Sequence, residues 1–288
     1  MSYSFPIHRV LGIFIKMAPK NILLIGGHGR TAQLLTPLLL ARSWNVTSLI
    51  RTEAQRDAIL QLGKGQPGKI DVLIIDLETV KTEDDARVII DRARPDYVVW
   101  AAGASGKSDP KTIYAVDRDA AKSLFRASVS TPTITKILSI SHLGSRKAHP
   151  SWWSEEEWKY IQYANSLHYD TYLAKSEADE LFTALARRRV VEGGDEAFQG
   201  ILLRPGRLAD GEAEGKVDLG QCRPGRPVTR ADVAMVANEL LAREDTWGWA
   251  DIAGGDEGIG HAVERVGTSR PRVDAIEGED LDRIYSLK

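Results

Sequence analysis

From residue 20 onward, short apolar runs alternate with stretches whose apolar residues recur at helical spacing. Asn21-Ile22-Leu23-Leu24-Ile25 reads as a strand, and residues 29–42 as the helix after it. The β-rich run Asn45–Ile50 precedes a helical segment from Glu53 to Leu62 and the turn-prone residues 63–68. Ile70 to Asp76 is almost continuously apolar, as a parallel strand covered on both faces should be. Thr82 is placed to cap a helix running to Ala93, and Asp96 to Gly103 forms a fourth strand. The spacing then predicts a helix over Lys111–Ser128, a strand over Ile134–Ser141 and a long helix over Tyr169–Arg189. Gly200–Pro205 is a sixth strand, Thr229 caps a helix through Arg243, and Trp249–Ala253 is the last strand.

Strict β/α alternation predicts a doubly wound parallel α/β sheet, a Rossmann fold, with a small C-terminal subdomain on the substrate side. Three segments are expected: an N-terminal extension over 1–18, the fold itself over 19–266 and an acidic tail over 267–288. Residues 1–18 carry Arg9, Lys16 and the apolar patch Val10–Ile15; they read as a disordered extension, with a short targeting segment as the other reading. At 288 residues the chain is long enough to bury a large core. A formal charge of −2 removes any electrostatic reason to expect nucleic acid or an anionic membrane. The single Cys222 rules out an intrachain disulfide and a cysteine metal cluster, no metal site is expected, and a reducing, cytoplasmic setting fits.

The densest chemistry is in Gly26-Gly27-His28-Gly29-Arg30-Thr31-Ala32, between the first strand and its helix. Gly26, Gly29 and Ala32 give the spacing G-x-x-G-x-x-A, a variant of the dinucleotide fingerprint. Gly26 allows the turn, Gly29 lets backbone approach a pyrophosphate, and Ala32 lets helix and strand pack closely. The free N–H groups of the helix start then face phosphate. Ligands of such sheets lie at the carboxyl ends of the strands. Those ends carry Arg51, Asp76-Leu77, Ala101-Ala102-Gly103, Ser139 to Ser141 and Pro205-Gly206. Where an NAD site would place an acid, the second strand ends in Arg51, whose guanidinium matches a 2′-phosphate. With Arg30 close by, this predicts NADP(H); Glu53 leaves an NAD reading open. Asp76 either receives the adenine amino group or caps a helix.

These residues, together with Leu203-Arg204-Pro205-Gly206-Arg207-Leu208, Val116–Lys122, Ser141-His142-Leu143-Gly144 and Thr229–Ala234, resemble a known family. The chain is similar to atypical short-chain dehydrogenase/reductases with an NAD(P)H-binding, NmrA-like Rossmann domain, from residue 20 to about 266. The resemblance implies an arginine selecting NADP(H) and a segment after the sixth strand beside the nicotinamide. Active members carry Tyr-x-x-x-Lys with a Ser or Thr after the fifth strand. Lys175 matches the lysine, but Thr171 stands where the tyrosine would. Tyr172, three residues before Lys175, and His168, seven before it, are the candidate proton donors. Either could instead be a packed aromatic or a loop residue. Ser141 is the nearer match to the family's serine, and His142 replaces a second hydroxyl.

Trp152, Trp153 and Trp158 follow the fifth strand and read either as an apolar, aromatic-tolerant pocket or as packing under an insertion. The expectation is an NADPH-dependent oxidoreductase acting on a small carbonyl or enone, with a homodimer as the default assembly. The rival readings are an NADP(H)-binding sensor without turnover and a non-redox isomerase or lyase.

Overall fold

A computed structural model describes residues 19–104, 108–269 and 274–288. The expectation for residues 1–18 lies outside them. Six strands follow one another as read: β1 (Asn21–Ile25), β2 (Asn45–Ile50), β3 (Ile70–Ile74), β4 (Tyr97–Trp100), β5 (Lys136–Ile140) and β6 (Gln199–Pro205). Four short strands and a longer one follow: β7 (Leu208–Ala209), β8 (Lys216–Gly220), β9 (Val228–Thr229), β10 (Gly248–Gly254) and β11 (Glu257–Gly258). Nine of these make one sheet in the order β11-β8-β10-β6-β5-β4-β1-β2-β3. Every pairing in it is parallel except those of β8 with β10 and β11. Strand order reverses between β1 and β4, which opens a crevice at their carboxyl ends.

The apolar runs are continuous because each strand feeds two cores. Ile22 and Leu24 of β1 join the cluster under α1 (Arg30–Ala41), while Leu23 and Ile25 join the opposite one. Between β2 and β4 lie α2 (Arg56–Gln61) and α3 (Glu83–Ala93), the latter begun by a Thr82/Asp85 capping box. The segment read as one helix over 111–128 is three pieces: α4 (Pro110–Ile113), a π turn over Tyr114–Ala120 and α5 (Ala121–Val129). The wide turn brings Asp117 inward, where it is buried.

After β5 come α6 (Glu155–Leu167), capped by Ser154 with Glu157, and α7 (Tyr169–Val191). Phe182 of α7 packs on Phe125 of α5 with ring centroids 4.7 Å apart. On the other face α8 (Arg230–Ala242), capped by Thr229, and α9 (Ile259–Thr268) cover the sheet beside α1. The last helix is α10 (Leu281–Tyr285).

Residues 274–288, whose acids read as a tail, are built into the core instead. Ala275, Ile276 and Ile284 are buried in the α5/α7 cluster. Glu279 accepts from the backbone N–H groups of Lys147 and Ala148, and Arg283 makes a two-pronged pair with Glu180 at 2.7 and 2.8 Å. The acids are thus partners for cations and backbone, while three apolar side chains anchor the segment.

Candidate nucleotide and substrate site

The β1–α1 turn is shaped by contacts that only glycine permits. Gly26 has φ +81°, and a Cβ there would lie 2.5 Å from Ala102 Cα. Its N–H and that of Gly27 donate to Leu49 O at 3.1 and 2.9 Å, which fastens the turn to β2. Gly27 lies directly against Ser48 of β2. At Gly29 a Cβ would stand 3.1 Å from Gly26 O. No side chain caps α1 and its first turn, with Arg30 and Thr31, contains no acid. Those N–H groups therefore suit an anionic ligand, the chemistry a dinucleotide's pyrophosphate would supply.

A cleft of about 320 Å³ opens in front of this turn. Gly26, His28, Gly29, Arg51, Leu77 and the run Ala101-Ala102-Gly103 line it, all of them expected cofactor residues. Gln55 lines it too and was missed. Its Oε1 accepts from the N–H groups of Arg51 and Thr52 at 3.0 and 3.3 Å, fixing the loop that carries Arg51; Thr52-x-x-Gln55 is the sequence signal. Asp76 stands beside the cleft, accepting from Glu78 N at 3.1 Å with its carboxylate 3.9 Å from Arg51 Nε. Arg30, at the start of α1, is exposed and pairs with Asp210, which also pairs with Arg230, each at 2.7 Å. Pro205 and Gly206 tie β6 to its neighbours, through Leu143 N to Pro205 O at 2.9 Å and Gly206 N to Ile252 O at 2.8 Å.

Deeper in, Lys175 Nζ pairs with Asp117 Oδ1 at 2.8 Å. Asp117 Oδ2 accepts from Ala104 N at 2.8 Å, and a Cβ on Gly103 would meet both partners, at 3.1 Å and 3.6 Å. The ammonium is thus set against the end of β4, beside the cleft. Burial works to discharge Lys175, but the carboxylates of Asp117 and then Asp179 outweigh it and hold its pKa above the ordinary lysine value. Asp117 was not singled out in the sequence, because only the π turn brings it to Lys175.

Ser139, Ser141, Lys175, Asp117 and Asp179 surround one small cavity. Ser141 Oγ donates to Asp179 Oδ2 at 2.5 Å. Burial drives Asp179 up to about 6, against the opposing pull of Arg204, the Ser141 hydroxyl and Lys175. The folded state therefore holds a proton on Asp179 that the unfolded chain releases near pH 4, and folding stability from this group falls as pH rises from about 4 to 6. Asp179→Asn should remove that fall. In urea unfolding the variant is expected to gain on the wild type by up to about 3 kcal/mol between pH 4 and 6.5 and to hold the gain above that. A difference that does not change with pH would contradict the placement of Asp179.

The two candidate acids on α7 lie in different settings. Tyr172 Oη donates to Arg146 O at 3.4 Å, and burial, then Glu279 and Glu180, raise its pKa. That is opposite to the lowering a lysine-assisted phenol needs. His168, at the junction of α6 and α7, is exposed. His142, half-buried at the end of β5 next to Ser141, lies in the positive field of Lys175, Arg204 and His168.

The tryptophans pack the insertion down. Trp152 and Trp153 both donate Nε1–H to Cys222 O, at 3.1 and 2.7 Å, and the Arg146 guanidinium lies over the two rings. Trp153, Leu143, Ile161 and Ala253 form a small separate core, with Trp158 against it. Another cavity, of about 340 Å³, lies at the opposite ends of β6 and β10, lined by apolar groups such as Phe182, Phe198 and Trp249. It adjoins neither the glycine turn nor Lys175. No helix among the described residues is long and apolar enough to cross a membrane.

Known proteins share this architecture. Over 216 residues the chain is 26% identical to UPF0659 protein C216.03 of Schizosaccharomyces pombe, covering 73% of this chain and 79% of that one. The oxidoreductase ylbE from Lactococcus lactis superposes with a TM-score of 0.63 at 19% identity, over 85% of this chain and 95% of that one. ChuY, an anaerobillin reductase from Escherichia coli O157:H7, does so with a TM-score of 0.59 at 19% identity, over 82% and 97%. These likenesses are likenesses of fold. A family model for NAD(P)H-binding matches residues 26–244, from the glycine turn to the end of α8, and the chain belongs to that NAD(P)H-binding Rossmann family.

Proposed function

We propose that this protein is an NADPH-dependent oxidoreductase of the atypical short-chain type, acting on a small carbonyl or enone substrate. One observation carries the reading: the Lys175–Asp117 pair, a largely covered ammonium on a buried carboxylate, set against Gly103 beside the glycine-lined cleft. A fixed ammonium there suits the hydroxyls of a nicotinamide ribose. When bound, the reduced nicotinamide supplies a hydride; the chain's part is to bind it, orient the substrate and exclude water. The reductase fold of ylbE and ChuY supports the class. The exposed Tyr160, Tyr163 and Leu167 of α6 and Tyr169 at the start of α7 support an apolar or aromatic substrate. The buried, solitary Cys222 agrees with a cytoplasmic setting.

Arg51 supports NADP(H). Its side chain is 53% exposed and only loosely paired, 3.9 Å from Asp76 and 3.6 Å from Glu78. Such surface pairs contribute little, so a 2′-phosphate can take the guanidinium over. Arg51→Ala should weaken NADPH binding by about 10- to 100-fold, the loss of one or two charge-assisted bonds, and leave NADH within about threefold. Equal losses for both nucleotides in calorimetry would contradict the 2′-phosphate role. The reaction itself is tested by adding aldehydes, ketones, enones and quinones to the protein with NADPH and following nicotinamide absorbance. Oxidation with any of them supports the reductase. The Tyr172 hydroxyl, bonded to Arg146 O and with its pKa raised by burial, favours a second reading, NADP(H) binding without turnover, which the same assay separates.

A further inference from the structure

The residue after Ser141 is held more firmly than its loop position requires. Ser141 N donates to Leu203 O at 2.8 Å and Leu143 N to Pro205 O at 2.9 Å, so His142 between them is stitched to β6. Its own carbonyl accepts from Ser145 N at 3.0 Å and from Arg204 Nε at 3.4 Å. The fully buried Arg204 also donates to Leu143 O and Ser145 O, at 3.1 and 3.0 Å, and Asn165 Nδ2 donates to Gly144 O at 2.9 Å. A Cβ on Gly144 would stand 2.7 Å from the imidazole Cε1, so the ring rests on a residue with no side chain.

The ring's proton is placed by the same loop. Gly144 N–H donates to His142 Nδ1 at 3.1 Å, which makes Nδ1 an acceptor and leaves the proton of the neutral ring on Nε2. The neighbouring hydroxyl is not a rival donor, since Ser141 is committed to Asp179. We propose that His142 is the carbonyl-holding residue of the site, an uncharged imidazole whose Nε2–H donates to the substrate oxygen beside Lys175.

Electrostatics agree with that geometry. Burial first, then the charges of Lys175 on α7, Arg204 on β6 and His168 at the α6–α7 junction, push His142 down to about 4. It therefore stays neutral through the physiological range. A neutral imidazole N–H can polarise a carbonyl without carrying a charge into a site that already holds a lysine. A bound reduced nicotinamide would supply the hydride, with its two electrons, to the carbonyl carbon. The substrate oxygen, now an oxyanion held by His142, takes its proton from water at the open side of the cleft. His142 itself transfers none.

The inference rests on the reductase reading, and the test separates the two. His142→Phe should keep NADPH affinity within about twofold and lower kcat/KM about 100-fold or more, as loss of one oxyanion-stabilising donor does. His142→Gln, with an amide N–H near the former Nε2, should recover about tenfold of it. Nitrogen-15 NMR of the wild-type protein should show His142 protonated on Nε2 and unchanged from pH 8 to pH 5. Normal turnover by the phenylalanine variant would overturn the assignment while the reductase reading stands. Wild-type protein that binds NADPH but turns nothing over would overturn that reading instead. In that event the NMR still decides the donor: a ring protonated on Nδ1, or titrating near the ordinary histidine value, would overturn it alone.

Discussion

Lys175→Met is expected to cost about 3–5 kcal/mol of folding stability, because it leaves a buried carboxylate without its counter-ion. Asp117 is among the most buried acids of the chain, and its second oxygen is already committed to Ala104 N. The variant must either expose Asp117 or protonate it. Lys175→Met with Asp117→Asn should therefore recover more than half of the loss in urea unfolding, since a neutral pair no longer strands a charge. Nucleotide binding should not return with stability, because the ammonium proposed to hold the ribose is gone. A double variant that binds NADPH like the wild type would show that Lys175 is a folding residue alone.

The second large effect is expected at Gly26. Valine there meets two obstacles, a backbone at φ +81° that β-branched residues avoid and Ala102 Cα at 2.5 Å. Relief requires the β1–α1 turn and the end of β4 to part, and these are two walls of the cleft. Affinity for NADPH and NADH alike should fall by more than about 100-fold, in contrast to the selective loss at Arg51, with about 1–3 kcal/mol of strain in the fold. Binding unchanged in Gly26→Val would mean that the nucleotide does not lie against this turn.

What could be read from the chain was what repeats or is local. Parallel strands covered on both faces are apolar runs, so β1 to β6 and β10 stand out. Lys216-Val217-Asp218-Leu219-Gly220, an antiparallel strand near the sheet edge, mixes charges with apolar residues and does not. The glycine turn and the Ala101–Gly103 strand end are legible because backbone geometry demands small residues there, and Arg51 because it directly follows the second strand, at the carboxyl edge of the sheet. Side-chain direction is not legible in the same way. No local pattern announces that the Ser141 hydroxyl meets Asp179 or that Arg30 pairs with Asp210. Asp117 reaches Lys175 only because the helix widens into a π turn, a detail without a period to reveal it. Residues 274–288 were judged by their acids, while Ala275, Ile276 and Ile284 decide where they pack.

The most direct test of the account is calorimetric titration of the protein with NADPH and, separately, with NADH. The account predicts one site per chain, with NADPH bound at least about tenfold more tightly, a difference of about 1.4 kcal/mol for the phosphate contact at Arg51. Failure of both nucleotides to bind would contradict its central claim, that the cleft between the glycine turn, Arg51 and Lys175 is a nucleotide site.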